Sequence, residues 1–363
     1  MAVQGCRPPL GPAALVFLAL VGPHAVQALR GAARIAAQQP PASRSYLFHN
    51  ACPNADGMGG RVRALKKAVS QAVENNLMYV CNPEDFDTHL HSTGNMGFVF
   101  GCNSKSDVLG DAASMESVQN LTWELFPSSD GGYDRPTPTV FQIKECKWGM
   151  SKQPWGESYK WFRSQYHLVR TADERRRRPE CLDPRKKNIV LHIRKGDDPS
   201  RSFKAEVYVQ LLELIFTGRL ERAHISSTEA HIVILSEAEE SDPDMVTFRD
   251  FFQRSLLPAS FFLGLPEQAL EPAQARFVRD MDCMSLSDVL VLSDSGFSDV
   301  GAVVQQTGVA LMLHSLWRRN VGLPNTEKVS KYGQEQVQVA FETSPGELPN
   351  QLYVDVSLVS RED

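Results

Sequence analysis

The sequence predicts an α/β protein of two domains, the second organised around a parallel, doubly wound sheet. Three observations carry this expectation. The chain has 363 residues, 42% hydrophobic and 22% charged, enough to bury the cores of two ordinary domains. Beyond residue 188, apolar runs at 189–193, 231–235, 261–263, 289–292 and 309–313 alternate with helical stretches, the pattern of a doubly wound sheet. Nearer the start, a strand at 46–49, a glycine loop at 56–60 and a helix over 61–75 form one more unit of strand, loop and helix.

In chain order, the first residues carry an address. Arg7 precedes an apolar run at 13–21, and Val26-Gln27-Ala28 resembles a signal-peptidase site. The run is short for a bilayer span, so residues 1–28 read as a cleaved signal peptide, with a retained signal anchor as the alternative. Either form enters the secretory pathway, in the ER or Golgi lumen or beyond it, and only the anchor keeps the chain on a membrane. Residues 29–45 read as an unstructured stem. In the helix that follows, Val62, Leu65, Val69 and Val73 recur at helical spacing. A second strand is expected at 77–80. The stretch 83–130 is polar and irregular, with only 98–100 suggesting a strand. A strand at 139–143 and a helix over 157–169 complete an N-terminal domain, 46–171. Residues 172–187 hold Arg175 to Arg178 and Arg185-Lys186-Lys187 with two prolines and almost nothing apolar, which suits a linker. The C-terminal domain is then 188–363.

The net charge of -5 argues against nucleic acid, which demands a basic face, and the arginine run lacks the interleaved aromatics of a single-strand binder. Removal of the leader takes Cys6 and leaves Cys52, Cys81, Cys102, Cys146, Cys181 and Cys283, an even set suited to an oxidising lumen. Spacing does not fix their pairing, and no C-x-x-C is present. Asn120-Leu121-Thr122 is the one N-x-S/T sequon and would take a glycan if exposed.

Ligands of doubly wound sheets bind outside the carboxyl ends of the strands, so residues just past each apolar run matter most. The run at 189–193 ends in His192, Arg194, Gly196 and Asp197. An arginine there can fork hydrogen bonds to diphosphate oxygens and always keeps its proton, and Gly196 lets the backbone approach closely. The competing account is a structural ion pair between Arg194 and Asp197. The run at 289–292 ends in small hydroxyl residues, with Ser295 and Ser298 around Phe297, then opens a helix near Asp299. Helix amides with serine hydroxyls suit phosphate, although capping alone would also place a serine there.

Together these two segments resemble the fucosyltransferase superfamily that includes the α1,2-, α1,6- and protein O-fucosyltransferases and the nodulation fucosyltransferases. That family carries an H-x-R-x-G-D-like strand end and, later, a D-x-x-x-[ML]-S-x-x-D-x-x-[VI] strand followed by a serine-rich turn on the donor diphosphate. Asp280, Met284, Ser285, Asp288 and Val291 fit the second pattern, and Gly296 replaces the turn's second serine. The resemblance implies a GT-B fold, two Rossmann-like domains facing across a cleft, with GDP-fucose as donor and inversion without a metal or other cofactor. By it, Arg194 is catalytic, and His192, Gly196, Asp197, Ser295, Phe297 and Ser298 bind the donor. The loop of Gly57, Gly59 and Gly60 resembles the family's first motif, with glycine where many members have asparagine, and Asp56 stands where some members place a general base. The competing account of Asp56 is a turn-forming Asp before glycine.

The resemblance implies a chain that transfers fucose to a glycan or protein hydroxyl. A non-catalytic carbohydrate- or protein-binding module, or a transferase of another nucleotide sugar, are the alternatives. Asp85/Asp87, Asp242/Asp244 and Asp280/Asp282 all fit the D-x-D pattern of metal-dependent transferases, and three hits in an acidic chain show how little it discriminates. His89 and His91 lack a third spaced ligand. Glu237, Glu239 and Glu240 follow the run at 231–235, where a base or ribose can be held, or simply line a solvated loop.

Overall fold

Residues 44–49, 57–82, 87–88, 94–95, 97–102, 112–126, 132–143, 155–156, 158–172, 179–195, 202–264, 273–293, 295–315, 338–345 and 351–359 are described by the computed structural model. The leader and most of the stem, Asp56, Asp85, His89, His91, Arg175 to Arg178, Gly196, Asp197, Cys52 and Cys146 lie outside them.

The first half opens with β1 (Tyr46–His49), α1 (Gly57–Glu74), β2 (Met78–Cys81) and two short strands, β3 (Asp87–Thr88) and β4 (Gly94–Asn95). It continues through β5 (Ala112–Ser114), α2 (Met115–Val118), β6 (Thr122–Leu125), β7 (Thr139–Ile143) and α3 (Ser158–Ala172). The second half comprises β8 (Lys187–Ile193), α4 (Ala205–Phe216), β9 (Ala230–Ser236), α5 (Pro243–Ser255), β10 (Ala259–Phe262), α6 (Ala273–Ser285), β11 (Val289–Leu292), α7 (Gly296–Val304), β12 (Val309–Ser315), β13 (Gln338–Pro345) and β14 (Gln351–Val359).

Two sheets result. The first has the order β5-β2-β1-β7-β6 and is wholly parallel. The second has the order β10-β9-β8-β11-β12-β14-β13 and is parallel except for β13, which returns antiparallel to β14. Counted along the chain, its parallel strands run third, second, first, fourth, fifth, sixth, the doubly wound order whose direction reverses between β8 and β11. The two-sheet α/β architecture expected from the sequence is therefore the one observed.

Alternation along the strands assigns the faces. Ile189, Leu191 and Ile193 of β8 join Ile232 and Val291 in a core with α4 and α5. Val190 joins Leu235, Leu290 and Leu292 in a second core with α6 and α7. That second core does not stop at the sheet. It continues through α1 and α3 to Leu47, Tyr79 and Phe141 of the first sheet, so both halves share it. Gly301 permits a close approach within it, because a Cβ there would lie 2.7 Å from Met284 Sδ on α6.

Among the described residues, two disulfides reinforce this arrangement. Cys81–Cys102 ties the end of β2 to a 3-10 turn at Gly97–Phe100, and Cys181–Cys283 ties the approach to β8 to α6. No helix among the described residues is long and apolar enough to cross a membrane.

Several elements differ from expectation. Residues Gly57, Gly59 and Gly60 are not a loop but the first turn of α1, where the amides have no intrahelical acceptor anyway and the apolar stripe beyond Arg61 propagates the helix backward. Residues 98–100 form the 3-10 turn rather than a strand. Phe100 packs there against Phe162 of α3, at 5.3 Å between ring centres, and a three-residue apolar run carries no period to distinguish the two. The stretch read as irregular supplies β5 and β6. Alanine and serine give β5 little strand propensity, and its parallel pairing with β2 holds it.

Candidate functional site

β8 and β11 are neighbours, and their register places Leu191 beside Val291. The first residues past each strand therefore emerge side by side at the carboxyl edge, at the point where the strand order reverses. His192, on the same face as Val190, hydrogen-bonds through Nδ1 to Ser293 Oγ at 2.8 Å. Its ring also meets Phe297 edge-on at 5.4 Å, and Phe297 meets Phe277 of α6 at 5.0 Å. The three rings join β8, α7 and α6 at one corner. Burial, and then the Arg194 charge, pull the His192 imidazole down to about 3. The ring is thus neutral near neutral pH, and it orients its neighbours rather than carrying a proton, which would need a pKa near the working pH.

Arg194 stands one residue beyond β8 and is partly buried. Its carbonyl accepts the Ser202 hydroxyl at 2.7 Å. Across the strand boundary, Ser295 caps α7 in an extended conformation, and its Oγ accepts the Phe297 amide at 3.3 Å. The Ser295 hydroxyl hydrogen stays available for a ligand, and the first-turn amides carry the helix's positive end. Ser298 is different. It is fully buried, and its hydroxyl donates to the carbonyls of Ser293 and Ser295, each at 3.0 Å. Its contribution is to shape the turn.

The opposite end of α7 is sealed by the first half of the chain. Arg163 Nε donates to the Val303 carbonyl at 2.9 Å, and His167 Nε2 donates to the Val304 carbonyl at 2.7 Å. Burial is the main reason His167 falls to about 4, so it too is neutral. α1 packs along α7, which brings the helix holding Gly57, Gly59 and Gly60 against the one capped by Ser295.

The structure thus gathers His192, Arg194, Ser295 and Phe297 at the switch point, with Ser298 beneath them. Gly196, Asp197 and Asp56 lie outside the described residues. Asn120 is exposed in the turn before β6. Ser293 and Phe277 were not singled out from the sequence. Ser293 is the first residue past an apolar run and was accessible to that rule, whereas Phe277 lies mid-helix and carries no such mark.

The acidic pairs have other partners. Asp242 caps α5 by accepting the Asp244 amide, and both carboxylates face the Lys195 ammonium. Asp280 pairs with Arg279 at 2.9 Å, while Asp282 accepts the Tyr166 hydroxyl at 2.5 Å and lies 3.3 Å from Arg170. Glu239 and Glu240 are exposed, and Glu240 pairs with Arg249 at 3.4 Å. Among the described residues, no three His, Cys, Asp or Glu side chains are grouped as a metal site would need.

No family model matches the chain, and no curated protein matches it. Among solved structures, it is similar to a mutant of FUT1 from Arabidopsis thaliana in complex with GDP, with TM-score 0.39 and 11% identity over 81% of this chain and 74% of that one. It is also similar to the α-1,6-fucosyltransferase NodZ co-crystallised with GDP, with TM-score 0.36 and 12% identity over 72% of this chain and 92% of that one.

Proposed function

We propose that the chain is an inverting, metal-independent glycosyltransferase of the GT-B type that moves fucose from GDP-fucose to a hydroxyl of a glycan or protein. The observation that carries this reading is the placement of Arg194 and the Ser295-capped helix on adjacent strand ends at the reversal point of a doubly wound sheet, where nucleotides bind. Recognition of fucose and guanine rests on the motif resemblance, and the geometry supports the diphosphate.

In this mechanism the α7 amino end and the Ser295 hydroxyl hold the β-phosphate. Arg194 stabilises the charge that grows as the bond between the sugar C1 and the phosphate oxygen breaks. The acceptor oxygen attacks C1 from the opposite side, and its proton passes to a carboxylate, for which Asp56 is the candidate. His192, held by Ser293 and Phe297, keeps the edge in shape. Entry into the secretory pathway, with a glycan on exposed Asn120, is part of the same reading, and two disulfides support it.

Thermal shift with GDP, UDP and CMP, followed by a donor-turnover assay, tests the proposal. GDP raises the melting temperature most, and Arg194→Ala abolishes transfer while the fold persists. Turnover retained in Arg194→Ala refutes the assigned role. Glycines at 57, 59 and 60 offer no side chain to a donor, which favours a second reading, a binding module. Stabilisation by GDP with no turnover in the intact chain would select it.

A further inference from the structure

Lys195 follows Arg194 directly, yet it is drawn to the other face of the sheet, where α4 and α5 begin. Its side chain is 20% exposed, its ammonium pairs with Asp244, and Asp242 lies 3.7 Å away. The second oxygen of Asp244 accepts the Ala205 amide, the first of α4, at 2.9 Å. On the near side, the Arg194 carbonyl is held by Ser202. The backbone leaving β8 is thus fastened immediately after the strand ladder ends.

We propose that Asp244 is a positioning residue for Arg194, acting through Lys195, an inference that rests on reading the β8–β11 edge as the donor site. Past a strand end the chain has no ladder to hold it, and an arginine presented on a loose backbone must be ordered when the ligand binds. Anchoring Lys195 to the α4–α5 face turns the preceding residue toward the opposite face, which His192 and α7 occupy. The carboxylate is required because it takes two donors at once, a backbone amide on one oxygen and a cation on the other. An asparagine could accept the Ala205 amide but would present its own N–H groups to the ammonium. The Asp-x-Asp spacing at 242 and 244 then has a mechanical meaning, one residue capping α5 and the next clamping the arginine segment.

The test compares wild type, Asp244→Asn, Lys195→Met, Lys195→Arg, and Asp244→Asn combined with Arg194→Ala. Two quantities are measured, the rate at which phenylglyoxal modifies Arg194, read by mass spectrometry, and GDP affinity by calorimetry. Asp244→Asn and Lys195→Met speed the labelling several-fold, and Lys195→Arg restores a rate near wild type. Because the loosened arginine must then be ordered when the diphosphate binds, GDP affinity falls by about 2- to 10-fold in the first two variants. In the Arg194→Ala background, Asp244→Asn costs nothing further. Unchanged labelling overturns the proposal, as does an equal additional loss in that background. Should wild type bind no GDP, the donor reading fails while the labelling rates still decide the clamp. Lys195→Met leaves the α5 cap intact and carries the test if Asp244→Asn does not fold.

Discussion

Replacing His167 by Gln isolates one contribution to the acid sensitivity of the fold. His167 donates to the Val304 carbonyl at the end of α7, and burial, reinforced by the charges of Arg170 and Arg163, outweighs that bond and lowers its pKa from 6.5 to about 4. The folded state therefore binds fewer protons than the unfolded chain between those values, so the stabilisation is complete above pH 6.5 and is lost as pH falls toward 4. At about 1.4 kcal/mol per tenfold change in proton affinity, the whole effect is about 3 kcal/mol, of which about 2 kcal/mol is lost between pH 7 and pH 5. His192, lowered to about 3 in the same direction, loses a similar amount over that interval. Against a total stability of about 5–15 kcal/mol, the two losses together are large. Gln can keep the donor to Val304 without titrating. Urea unfolding of wild type and His167→Gln at pH 7 and pH 5 measures the difference. The variant loses about 2 kcal/mol less than wild type over that step. Equal losses in the two proteins would refute the assignment of buried, neutral His167.

The other expected outcomes concern the shared core. Gly301→Val forces a side chain onto Met284 and costs about 1–3 kcal/mol, and a calorimetric melt showing no loss would mean that α6 and α7 separate freely. Changing both Cys181 and Cys283 to Ser opens a closure of 102 residues and costs about 4–5 kcal/mol in the chain-entropy view. A melting temperature unchanged by reductant would contradict it. Tyr166→Phe removes a donor from the Asp282 carboxylate and costs about 1.5–3 kcal/mol by urea titration, since hydrogen bonds to charged groups are the strong ones.

What the sequence made legible follows from burial. β8, β9, β11 and β12 are covered on both faces, so they read as continuous apolar runs and stand out within a residue or two of their observed ends. β14 alternates, with Leu352, Val354, Val356 and Leu358 two apart, a period that the sequence itself carries. β5 shows no pattern because Ala112 and Ala113 become strand only through their partner. At the site, position relative to strand ends was enough to point to His192, Arg194 and Ser295. The pairing of Lys195 with Asp244 was not accessible, because it joins residues 49 apart through a fold that no local pattern encodes. The same holds for Asp282, whose partners Tyr166 and Arg170 come from the other half of the chain.

The position of α7 explains why the first half matters to a site built almost wholly from the second. α7 has nine residues and is about 13 Å long, so its two ends are close enough for the field of one to weaken the other. A bare carboxyl end would place partial negative charge near the amides of the amino end and oppose the anion binding proposed there. Arg163 and His167 prevent this by satisfying the Val303 and Val304 carbonyls, and Arg163 adds a cation where the helix is negative. Burial lowers the pKa of Arg163, but a guanidinium is so basic that it remains charged at neutral pH. The α3 helix therefore does more than complete a core, since by neutralising the far end of α7 it leaves the near end positive at the strand edge from which Arg194 also emerges.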